Sequence, residues 1–223
     1  MGRMIEFTRP DSKRAPGYLA EPVKPEGMPG VVMLEEWWGV NDEIKHTAER
    51  LASEGFRVLI PDLYRGRVAA TGDEANHLMQ GLDFGDAATQ DARGAAQFLK
   101  EQGGKCGVMG YCMGGALALI AAMHDPEFDA AAVFYGYPPP EAGDPSTIPI
   151  PIMGHWAIHD EHFNLEGVEA LEAKLKAGNV PYEFHRYDAK HAFSNPKGLG
   201  NYHREAAETA WRRTVEFLKR TLG

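Results

Sequence analysis

The sequence predicts an α/β fold, a mostly parallel sheet covered by helices on both faces. Short apolar runs alternate along the chain with segments in which apolar residues recur at helical spacing. The apolar runs are almost uninterrupted, which is typical of strands buried on both faces of a parallel sheet. Of the 223 residues, 43% are hydrophobic and 25% are charged, and the chain contains no internal repeat or low-complexity tract. We therefore expect a single domain over residues 1–223.

Six strands are expected, each an apolar run that turn residues separate from its neighbours. The first run follows Pro29 and Gly30, the second ends at Pro61, and the fifth is entered through Pro149 and Pro151. Proline and glycine interrupt regular structure, so they set these boundaries. In chain order the expected strands are residues 31–34, 56–60, 105–109, 130–135, 150–158 and 182–187.

Helices are expected between these strands. Asn41 or Asp42 offers an N-cap for the first helix, whose apolar residues recur at helical spacing until Gly55 ends it. The later helices are expected at residues 89–99, 114–123, 165–177 and 201–222. Ligands of such folds bind outside the carboxyl ends of the strands, so the segments directly after the strands are the candidates for a site.

The segment after the third strand has the spacing of a nucleophile elbow, Gly-x-Cys-x-Gly, with Cys112 where serine is usual. The sharp turn needs small residues on either side, here Gly110 and Gly114, so that the backbones pass closely. We expect Cys112 to lie at a helix N-terminus, which favours thiolate and lowers the thiol pKa. The alternative is a buried cysteine in a glycine-rich turn.

The second cysteine, Cys106, lies inside the expected third strand and is interpreted as inert core. An extended segment would separate it from Cys112 by ~20 Å, beyond disulfide reach. Two unpaired thiols indicate a reducing compartment, so we expect a cytoplasmic protein.

A thiol nucleophile needs a base and an acid that orients the base, in the chain order nucleophile, acid, histidine. His191 follows the last expected strand and is the predicted base, whereas His185 lies inside that strand and His203 begins the last helix. The acid should follow the fifth strand. We prefer Asp160 over its neighbour Glu161, which is interpreted as a solvated loop carboxylate.

The cluster around Asp160 also permits a metal hypothesis, because His155, His159 and His162 could join it as zinc ligands. His155 and His159 stand ~13 Å apart along a strand, too far for one ion. We therefore expect no metal.

The balance of charge indicates the partners. Lys plus Arg number 23 and Asp plus Glu 32, a net charge of −9, which disfavours nucleic acid. No apolar run approaches the ~20 residues that span a bilayer, so no membrane association is expected. We expect a small-molecule substrate and a monomer or homodimer.

The chain resembles the dienelactone hydrolase family from about Val31 to the final helix. The resemblance depends on five segments: Leu34–Asn41, Pro61–Tyr64, Gly110–Gly115, Asp160 and His191–Phe193. The pairing of Gly-Tyr-Cys-x-Gly-Gly with an upstream Glu-x-x-Gly-Val-Asn is more specific than the elbow alone. The resemblance implies an α/β-hydrolase fold, no cofactor, and hydrolysis of dienelactone, a cyclic enol-lactone with a carboxylate, to maleylacetate.

The resemblance also implies roles for individual residues. Cys112 becomes the nucleophile, His191 the base and Asp160 its orienter, while the backbone N–H groups of Met113 and Trp37 form the oxyanion hole. Glu36 matches a buried glutamate that lies next to the thiol. We hypothesise that Glu36 gates ionisation of the thiol and so protects it from oxidation when substrate is absent. Its neighbour Glu35 is interpreted as a solvated acid.

Two departures from the family bear on the substrate. The family reads the substrate carboxylate with arginines, but here Asn195 stands four residues after His191 and no arginine occurs near Ala75–His77. Arg65, Arg67, His77 and Lys197 are nearby cations, although solvated surface groups are the alternative. Trp37 and Trp38 replace smaller apolar side chains.

The predicted function is hydrolysis of a lactone or carboxylic ester through an acyl-enzyme. The alternative is a broad carboxylesterase or thioesterase acting on a different, neutral substrate. A peroxide-sensing role for Cys112 is a weaker rival, because no resolving cysteine is within reach. The expected substrate contacts, each with core packing or surface exposure as its alternative, are Trp38, Tyr64, Arg65, His77, Tyr135, Trp156, Phe193 and Asn195.

Overall fold

Residues 2–223, which the computed structural model describes, form one eight-stranded sheet in the order β1-β2-β4-β3-β5-β6-β7-β8. Only the pairings of β1 with β2 and of β2 with β4 are antiparallel. The strands are β1 (Arg3–Thr8), β2 (Arg14–Ala20), β3 (Gly30–Leu34), β4 (Arg57–Pro61), β5 (Cys106–Tyr111), β6 (Ala130–Phe134), β7 (Ile152–His159) and β8 (Tyr182–Lys190). The mostly parallel sheet of the prediction is confirmed.

Helices cover both faces of the sheet, also as predicted. They are α1 (Asp42–Ser53), α2 (Gly72–Gln80), α3 (Phe84–Asp86), α4 (Arg93–Lys100), α5 (Met113–His124), α6 (Leu165–Ala177) and α7 (Arg204–Leu222). A π-helical stretch (Ala87–Ala92) joins α3 to α4, and short 3-10 turns lie at Pro140–Ala142 and Pro145–Thr147. The core cluster on one face takes in α4, α5 and α6, and the cluster on the other face takes in α1 and α7.

The side chains of β3 show how the strands join the two clusters. Val32 and Leu34 pack into the α5 side, whereas Val31 and Met33 pack into the α1 and α7 side, and all four are fully buried. This alternation along a strand with two buried faces produces the uninterrupted apolar run seen in the sequence. The run therefore marks the centre of the sheet.

Four elements were not predicted: β1, β2, α2 and the three-residue α3. β1 is half-exposed at the sheet edge, and β2 carries Pro16 and Gly17, both of which weaken a strand pattern. α2 buries only Ala75 and Leu78, too few for a clear helical repeat. β8 also runs three residues beyond the expected end, because Ala189 is buried between exposed Asp188 and Lys190.

The carboxyl ends of β3, β5, β6, β7 and β8 meet at one edge of the sheet, since these strands are parallel. The candidate site lies at this edge. Among residues 2–223, no helix combines the length and the apolar character that crossing a membrane requires.

Candidate active site

Cys112 occupies a strained turn between the last residue of β5 and the first residue of α5. Its φ of 55° and ψ of −117° lie in a region that side chains rarely adopt. A Cβ at Gly110 would overlap the backbone of Gly114, and a Cβ at Gly114 would overlap the backbone carbonyls of Leu34 and Glu35. Glycine is therefore required at both positions, and the geometry is that of a nucleophile elbow.

A chain of hydrogen bonds connects Asp160, His191 and Cys112. His191 Nδ1 lies 2.8 Å from Asp160 Oδ2, and His191 Nε2 lies 3.1 Å from Cys112 Sγ. A carboxylate can only accept, so Nδ1 donates, and in the neutral ring Nε2 is left to accept the thiol proton. The three residues come from the segments after β7, β8 and β5, as the sequence predicted.

His191 and Asp160 are both held in place by their surroundings. Asp160 Oδ1 accepts from the backbone N–H groups of His162 and Phe163 at 2.8 and 2.9 Å, which fixes the carboxylate. The His191 ring stacks on Phe163 and meets the edges of His162 and Tyr135, with ring centroids 5.0 to 5.6 Å apart. The imidazole therefore has little freedom to turn away from Cys112.

The thiol of Cys112 does not have the lowered pKa that its helix position led us to expect. Burial raises the pKa, and the negative charge of Glu36 raises it further, while the backbone N–H of Met113 lowers it only in part. Desolvation of the thiolate outweighs the helix N-terminus here. The raised pKa favours the protonated thiol over the thiolate.

Glu36 is buried beside this thiol. Its Oε1 accepts from the Tyr135 hydroxyl at 3.3 Å, and its Oε2 accepts from Asn195 Nδ2. Burial raises the pKa of Glu36, and the contacts with Asn195, His191 and Tyr135 offset part of this shift. Burial therefore favours the neutral form of the carboxyl, and these neighbours favour the charged form.

The interpretation of Glu35 as a solvated acid is wrong. The side chain is completely buried, and neither carboxyl oxygen has a hydrogen-bond partner among the described residues. The backbone N–H of Leu63 faces the carboxyl without completing a hydrogen bond. Burial and the charge of Asp62 raise the pKa of Glu35 well above its ordinary value. The elbow packs its Gly114 against the backbone here, which closes this segment to solvent.

The two residues expected to form an oxyanion hole lie on either side of the elbow. Met113 begins α5, and its backbone N–H faces Cys112. Trp37 lies three residues after β3, in the segment whose backbone Gly114 contacts. The half-buried rings of Trp37 and Trp38 meet edge to face at 5.2 Å. The paired indoles therefore belong to the segment that follows β3, and the tip of the Trp37 ring lies 3.9 Å from where a Cβ of Gly72 would stand.

Three of the expected substrate contacts lie at the site. The buried Tyr64 hydroxyl contacts Met113 Sδ at 3.3 Å, next to the elbow. Tyr135 is fully buried, and Tyr135 and Asn195 both hydrogen-bond Glu36. The structure thus gives Tyr135 and Asn195 a defined contact with an acid rather than with a substrate.

Four other expected contacts have other partners in the described structure. Arg65 Nη2 donates to both carboxylate oxygens of Asp91, at 2.9 and 2.8 Å, and is not free to bind a substrate carboxylate. His77 lies on α2 and lines a separate cavity with Arg67, Leu78, Gln80 and Gly81. Trp156 is buried against Tyr137 and Phe184, and Phe193 against Tyr135 and Tyr187, so both belong to the core.

The residues of the metal hypothesis have separate partners. Buried His155 contacts the Tyr187 hydroxyl at 2.9 Å and Thr214 Oγ1 at 2.8 Å. His159 pairs with Asp188 at 2.7 Å. In the described chain, no three His, Cys, Asp or Glu side chains gather as a metal site requires. The donor geometry gives the metal hypothesis no support.

Sequence reasoning missed Ser194, whose hydroxyl lies 2.6 Å from that of Tyr135. It also missed Phe163, which stacks on the His191 ring. Both follow a predicted strand and a predicted catalytic residue, so position at the sheet edge was the available signal. Serine and phenylalanine are too common in loops for that signal to stand out.

The topology and the elbow together define an α/β hydrolase. Comparison with known families carries the assignment further: the model of the dienelactone hydrolase family matches residues 15–222, and the chain belongs to this family. It is a carboxylic-ester hydrolase, as the names of its relatives and the family indicate.

Individual relatives match over the whole chain. The protein usf of Aquifex pyrophilus is 35% identical and aligns over 100% of both chains. An Aquifex aeolicus protein, provisionally named a carboxymethylenebutenolidase, is 33% identical over 98% of each chain. A crystal structure from Klebsiella pneumoniae, provisionally described as a dienelactone hydrolase, superposes with a TM-score of 0.84 at 25% identity, over 98% of this chain and 99% of the other.

Proposed function

We propose that this enzyme hydrolyses a lactone or carboxylic ester through an acyl-enzyme on Cys112. The observation that carries the proposal is the hydrogen-bonded chain from Asp160 through His191 to Cys112 Sγ, with distances of 2.8 and 3.1 Å. Its order and geometry are those of a nucleophile, a base and a carboxylate that orients the base.

In the proposed reaction, His191 Nε2 accepts the thiol proton as Sγ attacks the carbonyl carbon. The tetrahedral oxyanion accepts hydrogen bonds from the backbone N–H groups of Met113 and Trp37. The C–O bond to the leaving alkoxide then breaks, and the alkoxide takes the proton from His191. Water, deprotonated by His191, attacks the thioester carbonyl and releases the acid, and Sγ regains its proton. Asp160 holds Nδ1 throughout and stabilises the transient imidazolium.

Glu36 adds a constraint on the first step. Its negative charge raises the pKa of the Cys112 thiol, so a charged Glu36 keeps the thiol protonated in the empty site. A neutral Glu36 removes this penalty. We propose that the charge of Glu36 gates ionisation of the thiol.

The surroundings favour a neutral ester over a carboxylate-bearing lactone as substrate. Arg65 is bound to Asp91, Lys197 to Glu43 at 3.5 Å, and the position four residues after His191 is Asn195. The segment that follows β3 carries the half-buried indoles of Trp37 and Trp38 instead. A neutral ester or thioester with an apolar acyl group is therefore the favoured substrate class, and a dienelactone is the other candidate.

A substrate panel of p-nitrophenyl esters, acyl thioesters and a dienelactone tests the proposal in wild type, Cys112→Ala and Cys106→Ala. Cys106 is the matched control, because it is a buried cysteine in the same strand region, with burial raising its pKa to about 12. Loss of the nucleophile should lower activity by at least ~10³-fold, whereas the Cys106 variant should stay active. Full activity of Cys112→Ala would refute the nucleophile. Relative rates on the neutral and anionic substrates decide between the two substrate classes.

The single domain over residues 1–223 stays a prediction, as do the cytoplasmic location and the monomer or homodimer.

A further inference from the structure

A cavity of about 250 Å³ lies on the face of the sheet that α1 and α7 cover. Glu36, Tyr135, Ser194 and Asn195 line its inner part, and residues of α1 and α7 form its walls. Within the described chain, its lining includes neither Cys112 nor His191. At ~30 Å³ per water molecule, the space is large enough for several waters. Both Glu36 carboxyl oxygens are already held by hydrogen bonds from Tyr135 and Asn195, so we expect a proton to reach the carboxyl through a partner rather than directly from cavity water.

A chain of hydroxyl groups joins the Glu36 carboxyl to this cavity. The Tyr135 hydroxyl lies 3.3 Å from Glu36 Oε1 and 2.6 Å from Ser194 Oγ. Tyr135 is fully buried, so its hydroxyl depends on these two partners. Ser194 is half-buried and lines the cavity. The three groups run from the interior of the site to a space that water can enter.

The heavy-atom positions accommodate both charge states of Glu36. With a carboxylate, Ser194 donates to Tyr135 and Tyr135 donates to Glu36. With a neutral carboxyl, Glu36 donates to Tyr135, Tyr135 donates to Ser194, and Ser194 donates towards the cavity. Each hydroxyl can both donate and accept, so the reversal requires no atom other than hydrogen to move.

We propose that Glu36, Tyr135 and Ser194 form a proton wire through which Glu36 exchanges its proton with solvent in the cavity between α1 and α7. Proton uptake is balanced at every atom. A hydronium ion gives a proton to Ser194 Oγ, Ser194 passes its own proton to the Tyr135 oxygen, and Tyr135 passes its own proton to Glu36 Oε1. Release follows the same steps in reverse.

The proton wire connects the cavity to the proposed reaction through the charge of Glu36. The role of Glu36 as a gate rests on the proposed function, whereas the exchange path itself does not. While an acyl group occupies the thiol side, the wire still allows Glu36 to gain or lose its proton. The charge that opposes thiolate formation can then be reset without opening the substrate side.

Hydrogen–deuterium exchange of the Glu36 carboxyl, followed by infrared spectroscopy after mixing with D₂O, tests the wire directly. The carbonyl band of a protonated carboxyl shifts on deuteration, and the variants Glu36→Gln and Glu35→Gln assign the bands of the two buried acids. Glu35 is the internal reference, because it is fully buried and is not among the residues that line the cavity. The runs are repeated with Cys112→Ala, which removes the thiol as a second route and the esterase activity together.

We expect the Glu36 band to exchange faster than the Glu35 band in wild type and in Cys112→Ala. Ser194→Ala and Tyr135→Phe should slow the hydrogen–deuterium exchange of the Glu36 carboxyl by at least ~10-fold, because exchange then needs a local opening of the packing. Tyr111→Phe is the matched control, because Tyr111 is a buried tyrosine that lines the same cavity. In this variant the Glu36 carboxyl should exchange at the wild-type rate.

The proposed wire would be refuted if the Glu36 carboxyl exchanged in Ser194→Ala at the wild-type rate. It would also be refuted if the Glu36 band exchanged as slowly as the Glu35 band in wild type. Ser194 is partly exposed, so its variant keeps the test valid if Tyr135→Phe fails to fold. Because Cys112→Ala is inactive under the proposed function, failure of the wire and failure of that function give different results.

Discussion

Glu35 and Glu36 are adjacent, chemically identical and both buried, yet they lie in opposite environments. Glu36 is hydrogen-bonded by Tyr135 and Asn195, lines a solvent-accessible cavity, and its charge acts on the Cys112 thiol. Glu35 has no hydrogen-bond partner within the described structure and faces Asp62. Hydrogen bonds from Asn195 and Tyr135 oppose the rise in pKa that burial causes at Glu36, whereas burial and the charge of Asp62 raise the pKa of Glu35 well above its ordinary value.

The difference shows that partners decide what a buried acid does. Tyr135 and Asn195 are 99 and 159 residues away from Glu36 in the chain, and the fold alone brings them to one carboxyl. Glu35 receives no such partners, and the desolvation of its charge is uncompensated. Substitution of these two acids and of a third, Asp160, should affect the reaction in the decreasing order Asp160, Glu36, Glu35.

Asp160→Asn should have the largest effect among the three acids. An amide cannot stabilise the imidazolium and can reverse the tautomer of His191, so kcat should fall by ~10³- to 10⁴-fold. Steady-state kinetics on a p-nitrophenyl ester measure this. Asp188→Asn is the control, because Asp188 is exposed and pairs with the exposed His159. Equal kcat values for the Asp160 and Asp188 variants would remove Asp160 from the mechanism.

Glu36→Gln should act on the thiol rather than abolish the reaction. The Glu36 charge raises the pKa of Cys112, so its removal lowers that pKa and increases the thiolate fraction at any pH below it. A shift of one unit would speed alkylation by iodoacetamide ~10-fold in this range. The pH profile of alkylation measures the shift, with Glu43→Gln as a control from the same cavity. Unchanged activity together with an unchanged profile would rule out gating by Glu36.

Glu35→Gln should leave activity almost unchanged and alter only the dependence of stability on pH. The folded-state pKa of Glu35 lies well above 4.5, its ordinary value. Between those two values the folded state binds more protons than the unfolded state. The contribution of Glu35 to the free energy of unfolding is thus complete at pH values below its ordinary pKa. As the pH rises above that value, this contribution is lost by up to ~1.4 kcal/mol per pH unit.

Urea denaturation across this pH range should show a flatter profile in the Glu35→Gln variant than in wild type. Glu166→Gln is a control on an exposed glutamate in the first turn of α6. Identical profiles for Glu35→Gln and wild type would mean that Glu35 carries no raised pKa.

Most strands that could be predicted from the sequence have both faces buried, and the partly exposed edge strand β8 is the exception. The central strands β3 to β7 gave uninterrupted apolar runs because helices cover each side. β1 and β2 form the antiparallel edge, where exposed positions and Pro16 break that pattern. Edge strands owe their form to pairing with neighbours more than to their own composition.

The candidate site also contains residues that could be predicted from the sequence and residues that could not. Cys112, His191 and Asp160 could be identified because each follows a parallel strand and because the elbow spacing is sterically required. The burial of Glu35 and the hydroxyl pair of Tyr135 and Ser194 could not be identified, since they depend on side-chain contacts between distant segments. Spacing along the chain carries no information about such contacts.

The central claim is an acyl-enzyme on Cys112, and trapping it is the most direct test. An activated ester is mixed with the enzyme, turnover is stopped by acid, and the peptides are analysed by mass spectrometry. We predict one acyl group on the peptide that carries Cys112, and none on that peptide in Cys112→Ala. Full turnover with no adduct on Cys112, or with the acyl group on another residue, would contradict the account.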